Sequence, residues 1–134
     1  MNDSIQIVRQ YLLTTSLNTL VSGRIYSPRA PESAALPNVT MFIRGGESSP
    51  YIPDIPKPSF QIDCWSNDFV EARTVYRTLY NALQGVQNAQ ITYGMPPVDY
   101  YIMSAIEEVQ GQDITDVDIP GRYRVLSYWK IITR

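Results

Sequence analysis

"FQIDCWSNDFVEARTVYRTLYNALQG", Phe60 to Gly85, is the stretch on which the fold turns. In its first six residues Phe60, Ile62 and Cys64 alternate with Gln61, Asp63 and Trp65, the two-residue period of a strand. Ser66, Asn67 or Asp68 then offers a helix cap, and Glu71 sets a carboxylate in the first turn, where the positive helix end favours it. Phe69, Ala72, Tyr76, Leu79 and Leu83 follow at spacings of three and four, and Gly85 ends the helix. A strand that runs straight into a helix can frame a catalytic centre, or a subunit that packs against copies of itself. Asp63 reads as a surface or interface residue rather than a general base. Cys64 lies on the apolar phase and reads as core.

Composition narrows that choice. The chain has 134 residues, the size of one domain, and is 44% hydrophobic, enough for a modest core. It has no histidine and one cysteine, which excludes Ser-His and Cys-His nucleophile pairs, imidazole metal ligands and an internal disulfide. Carboxylate and lysine chemistry stay open, although Lys57 and Lys130 are the only lysines. A net charge of -2 argues against nucleic acid as a primary ligand. No run approaches a membrane span, and the N-terminus lacks signal-peptide character. Ten tyrosines, with arginine as the main cation, match the make-up of protein-protein interfaces.

Outward from the central stretch, Asp3 or Ser4 caps a first helix over 4–15, with Ile5, Val8, Leu12 and Leu13 as its apolar stripe. Gly23 closes that region, Arg24 to Ser27 is a short strand, and Pro28 to Pro37 is a proline-punctuated loop. In "NVTMFIRGG", Val39, Met41 and Ile43 face the core, and Thr40, Phe42 and Arg44 face away. Gly45 to Pro58 is a long loop carrying Tyr51, Ile52 and Ile55, either a free hairpin tip or an arm that orders against a partner. Ala89 to Gly94 and Tyr100 to Gln110 read as strands, the second bracketed by Pro96-Pro97 and by turn-like "GQDITDVDIPG". In the final "RYRVLSYWKIITR", Tyr123, Val125, Ser127, Trp129 and Ile131 share one face. Arg124, Leu126, Tyr128, Lys130 and Ile132 share the other, and neither is plainly polar, so both should be covered. The expected fold is a single α+β domain, a largely antiparallel sheet carrying two helices.

No phosphate loop, dinucleotide fingerprint or CxxC pair is present. Glu107, Glu108, Asp113, Asp116 and Asp118 invite comparison with a calcium loop, but the glycine turn and distal glutamate are out of register, and a solvated acidic hairpin tip is the simpler reading. No catalytic, cofactor or metal site is expected.

Taken in order, "LVSGRIYS" (Leu20 to Ser27), "PESAALPNVTMFI" (Pro31 to Ile43), the central stretch with its Q-I-D-x-W strand, and "YRVLSYWKI" (Tyr123 to Ile131) resemble the tail terminator family of long-tailed bacteriophages, also called tail completion or tail-to-head joining proteins. The resemblance implies a homo-oligomeric ring, a hexamer, in the virion's tail or neck, assembled in the host cytoplasm. Such a ring caps the tail tube, stops its polymerisation, and receives the connector of the filled head, with DNA only passing through the lumen. It implies no cofactor. Candidate contacts to neighbouring subunits or the tube are Arg44, Tyr51, Ile52, Ile55, Trp65, Arg73, Arg77, Tyr128 and Lys130. The alternatives are another neck component (a head-closure or adaptor ring protein), a small cytosolic protein-binding module, and an enzyme using carboxylates.

Overall fold

The structure is a computed structural model and describes residues 3–31, 34–47, 57–115 and 122–134. Its elements are α1 (Ser4–Leu13), α2 (Ser16–Val21), β1 (Ile25–Tyr26), β2 (Asn38–Glu47), β3 (Lys57–Ser66), α3 (Phe69–Leu83), β4 (Gln87–Tyr93), β5 (Val98–Thr115) and β6 (Tyr123–Thr133). The six strands form one sheet in the order β1-β2-β3-β6-β5-β4. The β1–β2 pair is parallel and the other four pairings are antiparallel. The α+β architecture stands, with three helices rather than two.

The alternation along β3 sets the two faces of this sheet. Register places Val39, Cys64 and Val125 in one row, and Met41, Ile62 and Ser127 in the next. These rows, with Phe60, Trp129 and Ile131, are buried beneath the helices. The core's polar atoms are paired: Ser127 Oγ donates to Ile62 O at 3.2 Å, and Trp129 Nε1 donates to Ser127 Oγ at 2.9 Å. Helix α3 docks over β3, β6 and β5 through Ala72, Val75, Tyr76, Leu79 and Leu83. Its N-cap is Asp68, which accepts from Val70 N at 3.1 Å.

Several expectations need correction. The first helix does not run to Thr15. Thr14 Oγ1 and Thr15 Oγ1 donate to the carbonyls of Tyr11 and Leu12 at 2.6 and 2.7 Å, ending α1 so that α2 starts afresh at Ser16. The buried stripe of α1 includes Ile7, whereas Ile5 and Leu13 are half-buried. Phe69 is 45% exposed, because it precedes the turn of α3 that reaches the sheet, and it meets the Tyr123 ring edge-on at 6.3 Å. Ile43, at the end of its strand's core phase, is also exposed. Gly45 and Gly46 belong to β2, and Lys57 and Pro58 to β3, so strand pairing continues into the expected loop past a bulge between Ile43 and Gly46. Gly46 has φ +139, and a Cβ there would strike the carbonyl of Lys57. Tyr51, Ile52 and Ile55 lie outside the described residues.

"GQDIT" is strand, not turn: β5 continues through Thr115 with bulges near Met103, Glu108 and Gln110–Gly111. Beyond the end of β4, side chains and backbone of the α3 region cap its outer edge. Gln84 Oε1 accepts from Glu107 N at 2.8 Å, and Tyr76 OH accepts from Gly111 N at 3.0 Å while donating to Glu107 Oε2 at 2.5 Å. Asp113 pairs with Arg73 at 3.2 Å, so two of the supposed tip carboxylates are bound to α3. Asp116 and Asp118 lie outside the described residues.

At Gly111 an added Cβ would come within 2.6 Å of the Tyr76 ring and 2.8 Å of Val125. Gly111→Ala is therefore expected to cost about 1–3 kcal/mol in urea unfolding, the range for overpacking. Burial and the bond to Glu107 push the Tyr76 hydroxyl up to about 12 from an ordinary 10.0. The folded chain thus holds this proton where the unfolded chain loses it. The stabilisation is complete below pH 10 and disappears as pH rises towards 12. Urea midpoints for wild type and Tyr76→Phe should differ clearly at pH 8 and converge over that window.

Candidate functional site

The second face of the sheet is a cross-strand lattice with no helix over it among the described residues. Its rows are Asn38–Trp65–Arg124, Thr40–Asp63–Leu126 and Phe42–Gln61–Tyr128, followed by Ser59–Lys130. On β5 they continue into Ile114, Gln112, Val109 and Ile106. Exposed apolar groups therefore adjoin charged and aromatic ones, and Ile106 is 55% exposed.

Cations stacked on rings order this face. The Arg44 guanidinium crosses β3 to lie 4.3 Å from the centre of the Tyr128 ring. Arg122 and Arg124 lie 4.7 and 5.2 Å from that of Trp65. Such contacts are worth about 0.5–1 kcal/mol each at exposed sites and more where water is excluded. Trp65 Nε1 donates to Thr40 Oγ1 at 3.0 Å, fixing the indole. With Arg29 at the rim and Lys130 on β6, five of the chain's eleven basic residues gather here.

Asp63 sits at the centre and is only 3% exposed, so of the two readings, surface or interface, a solvated surface residue is set aside. It lies on the central strand β3, flanked by Thr40 and Leu126 across the sheet and by Gln61 and Trp65 along it. Gln61 Nε2 donates to Asp63 Oδ2 at 3.3 Å, and Arg124 stands 3.6 Å from the same oxygen. Oδ1 has no hydrogen-bond partner. Burial raises the carboxyl above its ordinary 3.8, and Arg124 and Gln61 only partly oppose that. Beside it, between Pro28–Ala30 and the sheet, opens a cleft of about 340 Å³ lined by Asp63, Trp65, Arg122 and Arg124. The Arg122 Nε, also buried, is likewise unpartnered. Across the sheet, burial, aided by the nearby Asp63 charge, pushes the Cys64 thiol up, so it is an inert core group.

Of the residues singled out from sequence, Arg44, Trp65, Tyr128 and Lys130 converge on this face. Arg73 and Arg77 stand apart on α3, where Arg73 is half-buried, paired with Asp113 and 5.2 Å from the Tyr76 ring centre, while Arg77 is exposed. Sequence reasoning missed Asp63, Arg122 and Arg124 as members of one site. The available signal was the outward phase shared by Asp63 and Arg124 on strands that turn out to be neighbours. Among the described residues no group of three or more acidic or cysteine side chains is placed to hold a metal ion. No described helix is long and apolar enough to cross a membrane.

No family profile and no curated protein matches the chain. In structure it is similar to a chain of the "Virion of native gene transfer agent (GTA) particle", with a TM-score of 0.61 and 15% identity over 95% of this chain and 92% of that one. At that identity the likeness is one of fold.

Replacing Asp63 by Asn removes a buried charge and keeps its shape. Because the folded pKa is raised, the penalty of the charged form is absent at pH values below 3.8 and sets in as pH climbs through the raised value. Asp63→Asn should raise the urea midpoint at pH 7, with the gain shrinking as the pH is lowered into the ordinary carboxylate range. A loss of stability at pH 7 would show that the contacts with Arg124 and Gln61 outweigh burial.

Proposed function

We propose that the chain is a structural subunit of a phage-like particle, and within it the ring that caps the tail tube, ends its polymerisation and receives the head connector. The observation carrying this reading is the fold likeness to a virion chain, which spans nearly the full length of both chains. The ordered resemblance to tail terminators supports the finer assignment. So does a small domain with one sheet face left to cation-aromatic side chains and exposed apolar groups. A ring subunit needs two unlike side patches that close by rotation, plus surfaces for the tube and the connector. The outer face of β2, β3 and β6 and the exposed side of α3 supply two such patches on different sides of the sheet. The subunit is monomeric or weakly associated until the tube tip raises its local concentration. It then closes a homohexamer through which DNA passes, and it performs no bond-breaking chemistry.

Lysates lacking the protein provide the test. Overlong headless tails beside DNA-filled heads are expected, and normal particles would overturn the reading. Co-purification with filled heads instead of tail tubes would reassign the chain to head closure. With purified tail tubes present, Arg73→Glu combined with Arg77→Glu should abolish the rings that the wild-type chain forms on tube tips in negative-stain images. Loss of the exposed Arg73–Asp113 pair accounts for about 1 kcal/mol or less, so a urea midpoint near that of wild type should show that the double variant is folded. Intact rings from that double variant would remove α3 from the subunit interface.

A further inference from the structure

The cleft beside Asp63 has a specific chemical demand. Asp63 and Arg122 both line it, and each carries a buried atom without a hydrogen-bond partner: Asp63 Oδ1, which lacks a donor, and Arg122 Nε–H, which lacks an acceptor. A buried polar group left unpaired costs about 1–3 kcal/mol, more when it is charged. Three ligand classes can be weighed against that demand. A phosphate or carboxylate would satisfy Arg122 but would face the Asp63 carboxylate. An ammonium would satisfy Asp63 but would enter among Arg29, Arg122 and Arg124. A neutral planar amide offers an N–H to Asp63 Oδ1 and an oxygen to Arg122 Nε, without a like-charge contact. The main-chain groups of β3 and β6 here are engaged in the sheet ladder on both sides, so a ligand over Asp63 meets side chains rather than a strand edge. Trp65, fixed by Thr40 and stacked with both arginines, supplies a preordered wall for the ligand's methylene stem.

We infer that this cleft is a socket for the side-chain carboxamide of an asparagine or glutamine presented by a partner protein, read jointly by Asp63 and Arg122. The inference goes beyond the assembly role and is tested on the isolated chain, so the two can fail separately. The Trp65 indole N–H and the Arg122 Nε–H report on the cleft in ¹H–¹⁵N spectra, with the buried Trp129 indole as internal reference. The probes are the blocked tripeptides Ac-Gly-Gln-Gly-N(CH3)2, Ac-Gly-Glu-Gly-N(CH3)2 and Ac-Gly-Lys-Gly-N(CH3)2, whose dimethylamide ends carry no second primary carboxamide, and decathymidylate. The glutamine peptide should shift both reporters and bind about tenfold or more tightly than the glutamate and lysine peptides. Asp63→Asn and Arg122→Met should each weaken it about tenfold or more. Since the first variant is expected to fold more stably at pH 7, its loss of binding would not be a loss of structure. Four results would overturn the inference: equal binding of the three peptides, which would mean main-chain recognition; binding by the oligonucleotide alone; undiminished glutamine binding by Asp63→Asn; or no shift with any probe.

Discussion

The whole structure depends on the register of β3. Because side chains alternate across a sheet, a slip of one residue would drive Gln61, Asp63 and Trp65 under the helices and turn Phe60, Ile62 and Cys64 outward. The strand lies third of six, hydrogen-bonded on both sides, and it leads within three residues into the helix that covers its inner face. One short segment thereby fixes the sheet's centre, the core's composition and the place where polar chemistry is tolerated. The Ser66 hydroxyl secures that turn, accepting from Asp68 N and donating to Glu71 Oε1, each at 3.1 Å. Helix α3 cannot move away from β3 without breaking its own start.

That geometry explains why the two faces differ so sharply. The inner face is apolar and internally satisfied. The outer face gathers five basic side chains on a chain whose net charge is -2, so the overall acidity averages over two unlike surfaces. Holding cations together costs repulsion, and the aromatic rings and the Asp63 carboxylate reduce that cost. Asp63 is the counter-ion of the lattice, yet it is too deeply buried to be fully solvated and too loosely held by Arg124 to be fully paired. A carboxylate kept at such a disadvantage is held in place by the register of the sheet rather than by its own contacts.

The strand-helix junction, the buried phase of Cys64 and the core face of β6 were legible from alternation and capping, because each depends on neighbours in sequence, whereas the cover expected over the second face of β6 is not supplied by any described helix. The errors fell where tertiary context overrides local pattern. Apolar spacing could not separate α1 from α2, since the break comes from two threonine hydroxyls taking backbone carbonyls. Adjacent glycines at 45 and 46 looked like loop, but they serve a bulge against which Lys57 packs closely. Phe69 has the helical phase of a core residue but sits too near the start of α3 to be covered. Asp63 illustrates the deepest limit. Its outward direction was readable, but its burial comes from side chains 23 residues before and 61 after it, at Thr40 and Arg124, which only the register brings together.

The edge of β5 shows the same economy at the far side of the sheet. A long strand that outruns its neighbour leaves donors open to pairing with another chain. Here Gln84 and Tyr76 occupy the Glu107 and Gly111 amides, and the missing side chain at Gly111 lets the phenol approach. Helix α3 therefore does two jobs: it covers the core and it blunts an edge. With these donors occupied, partners approaching that side are met by side chains more than by backbone. A surface recognised through side-chain chemistry can be specific in a way that generic strand addition is not.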